Sequence, residues 1–236
     1  MTPFLAELMG TAIVIIIGNG VVANVVLPKT KGNNGGLTAI ILGWAFAVFF
    51  GVYVTSGISG GHLNPAVTIA LATVGKFNWA LVPGYLLAQL LGAMLGQFIV
   101  WMVYKDHFNE SEDAEAQLAC FSTCPSIPNL TQNFIVETMA TFVFMLGVLF
   151  LKPASTELGS LSALPVALLV AAIGFGLGGP TGFAINPARD LGPRIMHFVL
   201  PIQGKGPSNW GYSIVPIAGP IIGGILAAII YLQFLQ

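Results

Sequence analysis

The sequence predicts an all-α integral membrane protein in which six transmembrane helices and two re-entrant half-helices form two inverted repeats. Three observations lead there. Of the 236 residues, 56% are hydrophobic and 7% charged, with a mean hydropathy of +0.86, the balance of a chain whose solvent is largely lipid. Ser59-Gly60-Gly61-His62-Leu63-Asn64-Pro65-Ala66 returns as Thr181-Gly182-Phe183-Ala184-Ile185-Asn186-Pro187-Ala188, each reading Ser/Thr-Gly, three residues, then Asn-Pro-Ala. Glu7-Leu8-Met9-Gly10-Thr11 likewise returns as Glu137-Thr138-Met139-Ala140-Thr141.

The elements follow in order. Phe4 to Leu27 is apolar apart from Glu7, Thr11, Asn19 and Asn24 and forms the first span. A turn-rich loop, Pro28 to Gly36, leads to the second, Leu37 to about Ser56, which carries Trp44, Phe46, Phe49, Phe50 and Tyr53. In the re-entrant segment Gly57 to Gly75, irregular backbone ends at Asn64, which caps a helix with Pro65 at its first position. Its apolar run ends near Val74, and ten residues at about 1.5 Å each reach about 15 Å, half of a hydrocarbon core about 30 Å thick. Span three runs from about Trp79 to Tyr104, with Gly92 and Gly96 at a spacing that lets helix backbones approach.

Lys105 to about Thr131 is the longest polar connection, and its acidic run Glu110-Ser111-Glu112-Asp113-Ala114-Glu115 reads as a solvated loop rather than a cation site. Asn109-Glu110-Ser111 and Asn129-Leu130-Thr131 match the glycosylation sequon, a short pattern that chance produces often. Span four covers about Gln132 to Leu151, a connection carries Lys152 and Glu157, and span five covers about Leu161 to Leu177. The second re-entrant segment runs from Gly178 to about Leu200, and span six from Tyr212 to about Gln233, with Gly219 and Gly223 spaced like Gly92 and Gly96. The whole is one membrane domain, with repeat one at 1–104, a connecting loop at 105–131 and repeat two at 132–236. Three full spans per half is an odd number, so the halves enter the membrane from opposite sides, which places a site at the midplane between them.

Of the 17 charged side chains, 12 fall between or just beyond apolar runs; the exceptions are Glu7, Glu137, Arg189, Asp190 and Arg194. A net charge of −1 implies neither nucleic acid nor anionic lipid as a partner. Cys120 and Cys124, in a polar loop without further metal-ligand types, read as free thiols in preference to a small disulfide or metal site. No cofactor or metal is expected, because His62 and His197 lack ligand partners, and no Ser/His or Asp pair stands at catalytic spacing, so an enzyme is not expected. No secretory leader is expected either, since Met1 leads into a span too long for an h-region.

Irregular backbone at membrane depth is tolerated where it lines a wet cavity. Carbonyls of Gly60, Gly61 and His62 and of Gly182, Phe183 and Ala184 would form a ladder of acceptors. The amides of Asn64 and Asn186 would offer donors at the centre, and apolar residues of spans one, two, four and five the opposite wall. Both half-helices point their positive dipole ends at that centre, and Arg189 adds a fixed charge one turn along the second. Cations are repelled and anions lose too much hydration, leaving small neutral solutes. Glu7 and Glu137 have two readings: proton sites of a coupled carrier, or scaffolds that accept hydrogen bonds from the loops of their own halves. Their symmetric recurrence favours the second. Asp190 and Arg194, four apart, can pair on one helix, and His62 reads as a pore-lining or loop-packing residue.

With its two Asn-Pro-Ala boxes (Asn64, Pro65, Ala66 and Asn186, Pro187, Ala188) and its Glu-bearing first spans, the chain resembles the aquaporin and glycerol facilitator family along essentially its whole length. The resemblance implies a right-handed six-helix bundle with two half-helices and a homotetramer with one pore per subunit. It also implies a multi-pass protein of the plasma membrane with cytoplasmic termini. Lysine placement does not support that orientation, since loops then outside carry Lys29, Lys31, Lys105 and Lys205 against Lys76 and Lys152 inside. By resemblance Trp44, Gly174, Phe183 and Arg189 form the selectivity filter in the glycerol-conducting pattern, with Asp190 a marker of that branch alongside Arg194 and Pro216-Ile217; water-selective relatives carry His at the Gly174 position. The chemistry agrees: two aromatic planes receive a C–H edge while Arg189 donates to hydroxyls. The expected function is a passive channel for glycerol and other small neutral solutes that also passes water. Dihydroxyacetone, urea, hydrogen peroxide and undissociated lactic acid stay unranked, and a proton-coupled carrier or a water-selective channel are the alternatives.

Overall fold

The protein is described here by a computed structural model covering residues 1–151 and 159–234, within which there are ten α-helices and no strand. Helix α1 (Pro3–Val26) starts with Pro3 behind the side chain of Thr2, which accepts from Leu5 N at 3.3 Å. Helix α2 (Gly36–Ser59) ends at Gly60, whose φ of +86° only glycine adopts cheaply. The half-helix α3 (Pro65–Thr73) follows, and α4 (Val82–Val103) is entered through a 3₁₀ turn at Trp79–Leu81. Two short helices, α5 (Lys105–Asn109) and α6 (Ala114–Ala119), precede α7 (Leu130–Phe150). Helix α8 (Leu164–Leu177), the second half-helix α9 (Pro187–Val199) and α10 (Ile214–Gln233) complete the chain.

Among the described residues, five stretches are long and apolar enough to cross a membrane: α1, α2, Trp79–Val103, α7 and Trp210–Gln233. The fifth of the six expected spans is shorter: α8 has 14 residues, about 21 Å of helix, preceded by a 3₁₀ stretch at Gly159–Ala163. The expected connection with Lys152 and Glu157 lies outside the described residues.

Two boundaries differ from the sequence reading. Helix α2 runs three residues past Ser56, through Gly57 to Ser59, because the left-handed turn that ends it falls at Gly60 and not at Gly57. The polar connection 105–131 is not loop alone. Asp113 caps α6 by accepting from Glu115 N and Ala116 N, and Gln117, buried below, donates to the carbonyls of Phe108, Ser111 and Gln203. Phe108 and Phe121 are fully buried and pack ring to ring at 5.5 Å, so this segment closes over the bundle. Glu112, Asp113 and Glu115 of the acidic run stay exposed, and Lys29 pairs with Glu110.

Helix packing repeats within the chain. Helix α1 lies along α4 and α2, as α7 lies along α10 and α8, while each half-helix packs on the last long helix of the other half, α3 on α10 and α9 on α4. Glycines allow the closest approaches. A Cβ on Gly92 would stand 2.2 Å from the Leu8 carbonyl oxygen, one on Gly96 2.6 Å from that of Ala12, and one on Gly223 2.2 Å from that of Thr138. Each facing atom is backbone, which cannot rotate away. Gly92→Val should therefore destabilise the bundle by more than the about 1–3 kcal/mol usual for overpacking, read as a lowered midpoint of thermal unfolding in detergent. Gly84→Val, on the same helix but facing open space, should leave the midpoint nearly unchanged.

Candidate functional site

The two half-helices meet at their N-termini. Asn64 caps α3 by accepting from Ala66 N at 2.9 Å, and Asn186 caps α9 by accepting from Ala188 N at 3.1 Å and Arg189 N at 3.2 Å. The amide groups then cross: Asn64 Nδ2 donates to the Ile185 carbonyl and Asn186 Nδ2 to the Leu63 carbonyl, both at 2.9 Å. Each asparagine uses one amide N–H in this clasp, so one per residue is left for whatever occupies the centre.

The carbonyls held this way belong to strained residues. Leu63 has φ +51° and Ile185 φ +42°, a left-handed conformation that side chains disfavour and β-branched ones most of all. Their N–H groups are held as well. Glu7 Oε1 accepts from Ser59 Oγ (2.6 Å) and His62 N (3.0 Å), and its Oε2 from Leu63 N (2.7 Å) and Gln89 Nε2 (2.7 Å). Glu137 Oε1 accepts from Thr181 Oγ1 (2.6 Å) and Ala184 N (3.0 Å), and its Oε2 from Ile185 N (3.0 Å). Both carboxylates are fully buried, so these donors stand in for the water they lost.

A cavity of about 380 Å³ runs past this waist. Its lining takes in the non-helical backbone of both loops: Gly60, Gly61, His62 and Leu63 with Asn64, and Phe183, Ala184 and Ile185 with Asn186. The rest is largely hydrocarbon, with Val14, Val48, Val52, Val67, Phe144, Val148, Val166 and Val170 among it. Leu63 and Ile185 join the wall, whereas Gly182, expected there, is not among the lining residues. His62 lines the wall and packs at once, with Nδ1 3.1 Å from Thr68 Oγ1 and its ring against Phe77 and Tyr85.

Trp44, Phe183 and Arg189 line the same cavity. The Arg189 guanidinium carbon lies 4.3 Å from the centroid of the Trp44 ring, a cation–π contact, and its buried Nη1 has no hydrogen-bond partner among the described residues. Gly174 is not itself on the wall. The place a side chain would take is occupied by Ile41, 2.9 Å from an ideal Cβ, and by the Phe183 ring, 3.3 Å away. A side chain there would crowd Ile41 first and then the Phe183 ring.

Asp190 and Arg194 form a buried ion pair at 2.8 Å. Asp190 Oδ2 accepts from Thr123 N (2.8 Å) and Thr123 Oγ1 (2.7 Å), while Arg194 donates to the carbonyls of Thr123, Ser208 and Asn209. The pair ties the loops on either side to α9. Cys120 and Cys124 are free thiols, and the described residues hold no cluster of three potential metal ligands.

Gln89 is a supporting residue the sequence reading did not single out. Fully buried on α4, it donates to Glu7 and, at 3.0 Å, to Thr68 Oγ1. An amide inside an apolar span is the signal that could have found it.

The profile described as Major intrinsic protein matches residues 1–231. A "Probable glycerol uptake facilitator protein" of Thermotoga maritima is 51% identical over 231 residues, 98% of each chain. A "Glycerol uptake facilitator protein" of Streptococcus pneumoniae strain R6 is 47% identical over 234 residues, 99% of this chain and 100% of that one. The X-ray structure of the aquaglyceroporin from Plasmodium falciparum superposes with a TM-score of 0.87 at 32% identity, covering 98% of this chain and 95% of its own. The paired Asn-Pro-Ala half-helices, this architecture and these likenesses lead to one conclusion: the chain belongs to the major intrinsic protein family.

Proposed function

We propose that the protein is a passive channel for glycerol and other small neutral solutes, including water, that excludes ions and protons. The observation that carries this is the mixed lining of one cavity, in which Arg189 and the loop residues offer polar groups and aromatic and aliphatic side chains offer carbon. A polyol matches both, with hydroxyls on one side and C–H on the other. The names of the relatives from Thermotoga maritima and Streptococcus pneumoniae support the same solute.

In this reading Trp44, Gly174, Phe183 and Arg189 are the selectivity filter, Gly174 acting by making room for the Phe183 ring. Glu7 and Glu137 support the loops, and the remaining N–H of Asn64 and of Asn186 donate to the solute at the waist. Dihydroxyacetone, urea, hydrogen peroxide and undissociated lactic acid share the size and neutrality that the cavity selects. The halves act as inverted repeats, which the matched pairing of α1, α2 and α4 with α7, α8 and α10 supports. Four copies assemble in the plasma membrane with cytoplasmic termini, each with its own pore and no catalytic chemistry.

Stopped-flow light scattering on proteoliposomes tests the channel directly. Glycerol flux should rise nearly linearly with concentration and be indifferent to an imposed pH gradient, because both buried carboxylates are already occupied by protein donors. Saturable flux driven by the gradient would make Glu7 or Glu137 a coupling site and overturn the channel reading.

Gly174→His with Phe183→Cys exchanges an apolar flank for a polar ring and should lower glycerol permeation about tenfold or more while water changes little, a barrier difference of about 1.4 kcal/mol or above. Equal losses for both solutes would remove these residues from the filter. Arg189→Val should raise proton and cation leak in a dye-based assay, since the fixed charge facing the cavity would be gone.

A further inference from the structure

The aperture of this channel is set from behind its lining as well as by it. Resting on the filter reading above, we propose that Gly18 is a specificity-determining residue: its missing side chain fixes how far the Trp44 indole stands back from the lumen, and so the girth of the polyol that passes.

Gly18 lies on α1, one turn beyond the cavity-lining Val14. A Cβ there would stand 2.3, 2.4 and 2.6 Å from Cζ3, Cε3 and Cη2 of Trp44, and these ring atoms are its three nearest neighbours. Real Cβ atoms essentially never show such distances, so something must shift, and every atom met is side chain, not backbone. Trp44 is 4% exposed, with α1 against its benzenoid edge and the cavity it lines as the open space beside it, so on this proposal a push from α1 sends the ring inward. Arg189 stacks on the same ring, and displacing the indole carries away the surface on which the guanidinium rests. A methyl group that never touches solute would thus narrow the passage and disturb its cationic donor together.

The Phe183 ring is seated in the same manner. Ideal Cβ atoms at Gly174 and Gly178 would lie 3.3 Å from its Cζ and 2.5 Å from its Cδ1. At Gly178 the carbonyl of Gly174 is equally close, so a substitution there would also disturb backbone. Gly18 is the cleaner position to test.

The experiment compares wild type, Gly18→Ala, Gly20→Ala and Gly18→Ala/Trp44→Phe in proteoliposomes, reading water, glycerol and linear four- and five-carbon polyols by light scattering. Gly20 is on the same helix with nothing within 4 Å of an ideal Cβ and controls for helix propensity. Gly18→Ala should lower the ratio of four-carbon polyol to water flux about tenfold with a smaller loss for glycerol. Gly20→Ala should keep the wild-type profile, and Trp44→Phe should restore larger-polyol flux to Gly18→Ala by shrinking the displaced ring. A Gly18→Ala channel that conducts water with the wild-type polyol profile overturns the seat while leaving the filter reading intact. A wild type that passes water and no polyol overturns the filter reading and the seat with it. If Gly18→Ala alone fails to assemble, the double variant decides: a larger-polyol ratio at or above wild type supports the seat, and a collapsed ratio refutes it.

Discussion

The waist depends on two peptide units held at both ends. Leu63 and Ile185 sit in a left-handed conformation that costs on the order of 1–3 kcal/mol each and survives only because neighbouring groups over-determine it. Each N–H is bound by the buried glutamate of its own half, each C=O by the asparagine of the other. Through those four contacts the loops, the half-helices and the first span of each repeat become one rigid unit. Were the backbone there free to relax, the carbonyls upstream of Asn64 and Asn186 would turn toward helical partners and the polar flank of the cavity would close.

The same logic explains why charge can sit so deep. Glu7 has four donors and Glu137 three among the described residues, and a carboxylate supplied in that way has little left to offer a passing cation or proton. Saturation is what separates a structural carboxylate from a transport site. The difference of one donor between the halves comes from α4 and α10: Gln89 reaches Glu7, whereas the backbone of α10 at Gly219 comes close enough that a Cβ would stand 3.0 Å from Glu137 Cβ.

What could be read from the sequence was local. Asparagine before proline marks a helix start, a repeated box marks a repeated element, and glutamate in an apolar helix demands donors; each needs only a few consecutive residues. The Asn64–Ile185 and Asn186–Leu63 clasp was not legible, because it joins residues 121 and 123 apart and no local pattern says that two caps will exchange partners. Glycines at the helix contacts were visible through their spacing, but Gly18 of α1, seated under an indole, was not. Nor was it visible that Gly174 would stand behind Phe183 instead of on the wall. The short helices α5 and α6 were missed because their burial, Gln117 under three carbonyls, depends on where Gln203 arrives from the far end of the chain.

Arg189 and Arg194 lie on one half-helix and meet opposite fates, and the reason is geometric. Asp190 stands next to Arg189, and a buried arginine beside a free carboxylate would pair with it and lose its field. Instead Asp190 directs Oδ1 to Arg194 and Oδ2 to Thr123, so its accepting capacity is spent on the side of α9 away from the cavity. Arg194 in turn gives its remaining donors to three backbone carbonyls. That network anchors α9 and leaves the Arg189 guanidinium without an ion-pair partner among the described residues, resting on an indole face that attracts it without taking its hydrogen-bond donors. A cation approaching the waist meets that charge and two helix N-termini; a hydroxyl meets open N–H donors. In the channel reading proposed above, recognition and part of the exclusion rest on one side chain, whose nearest carboxylate is engaged elsewhere.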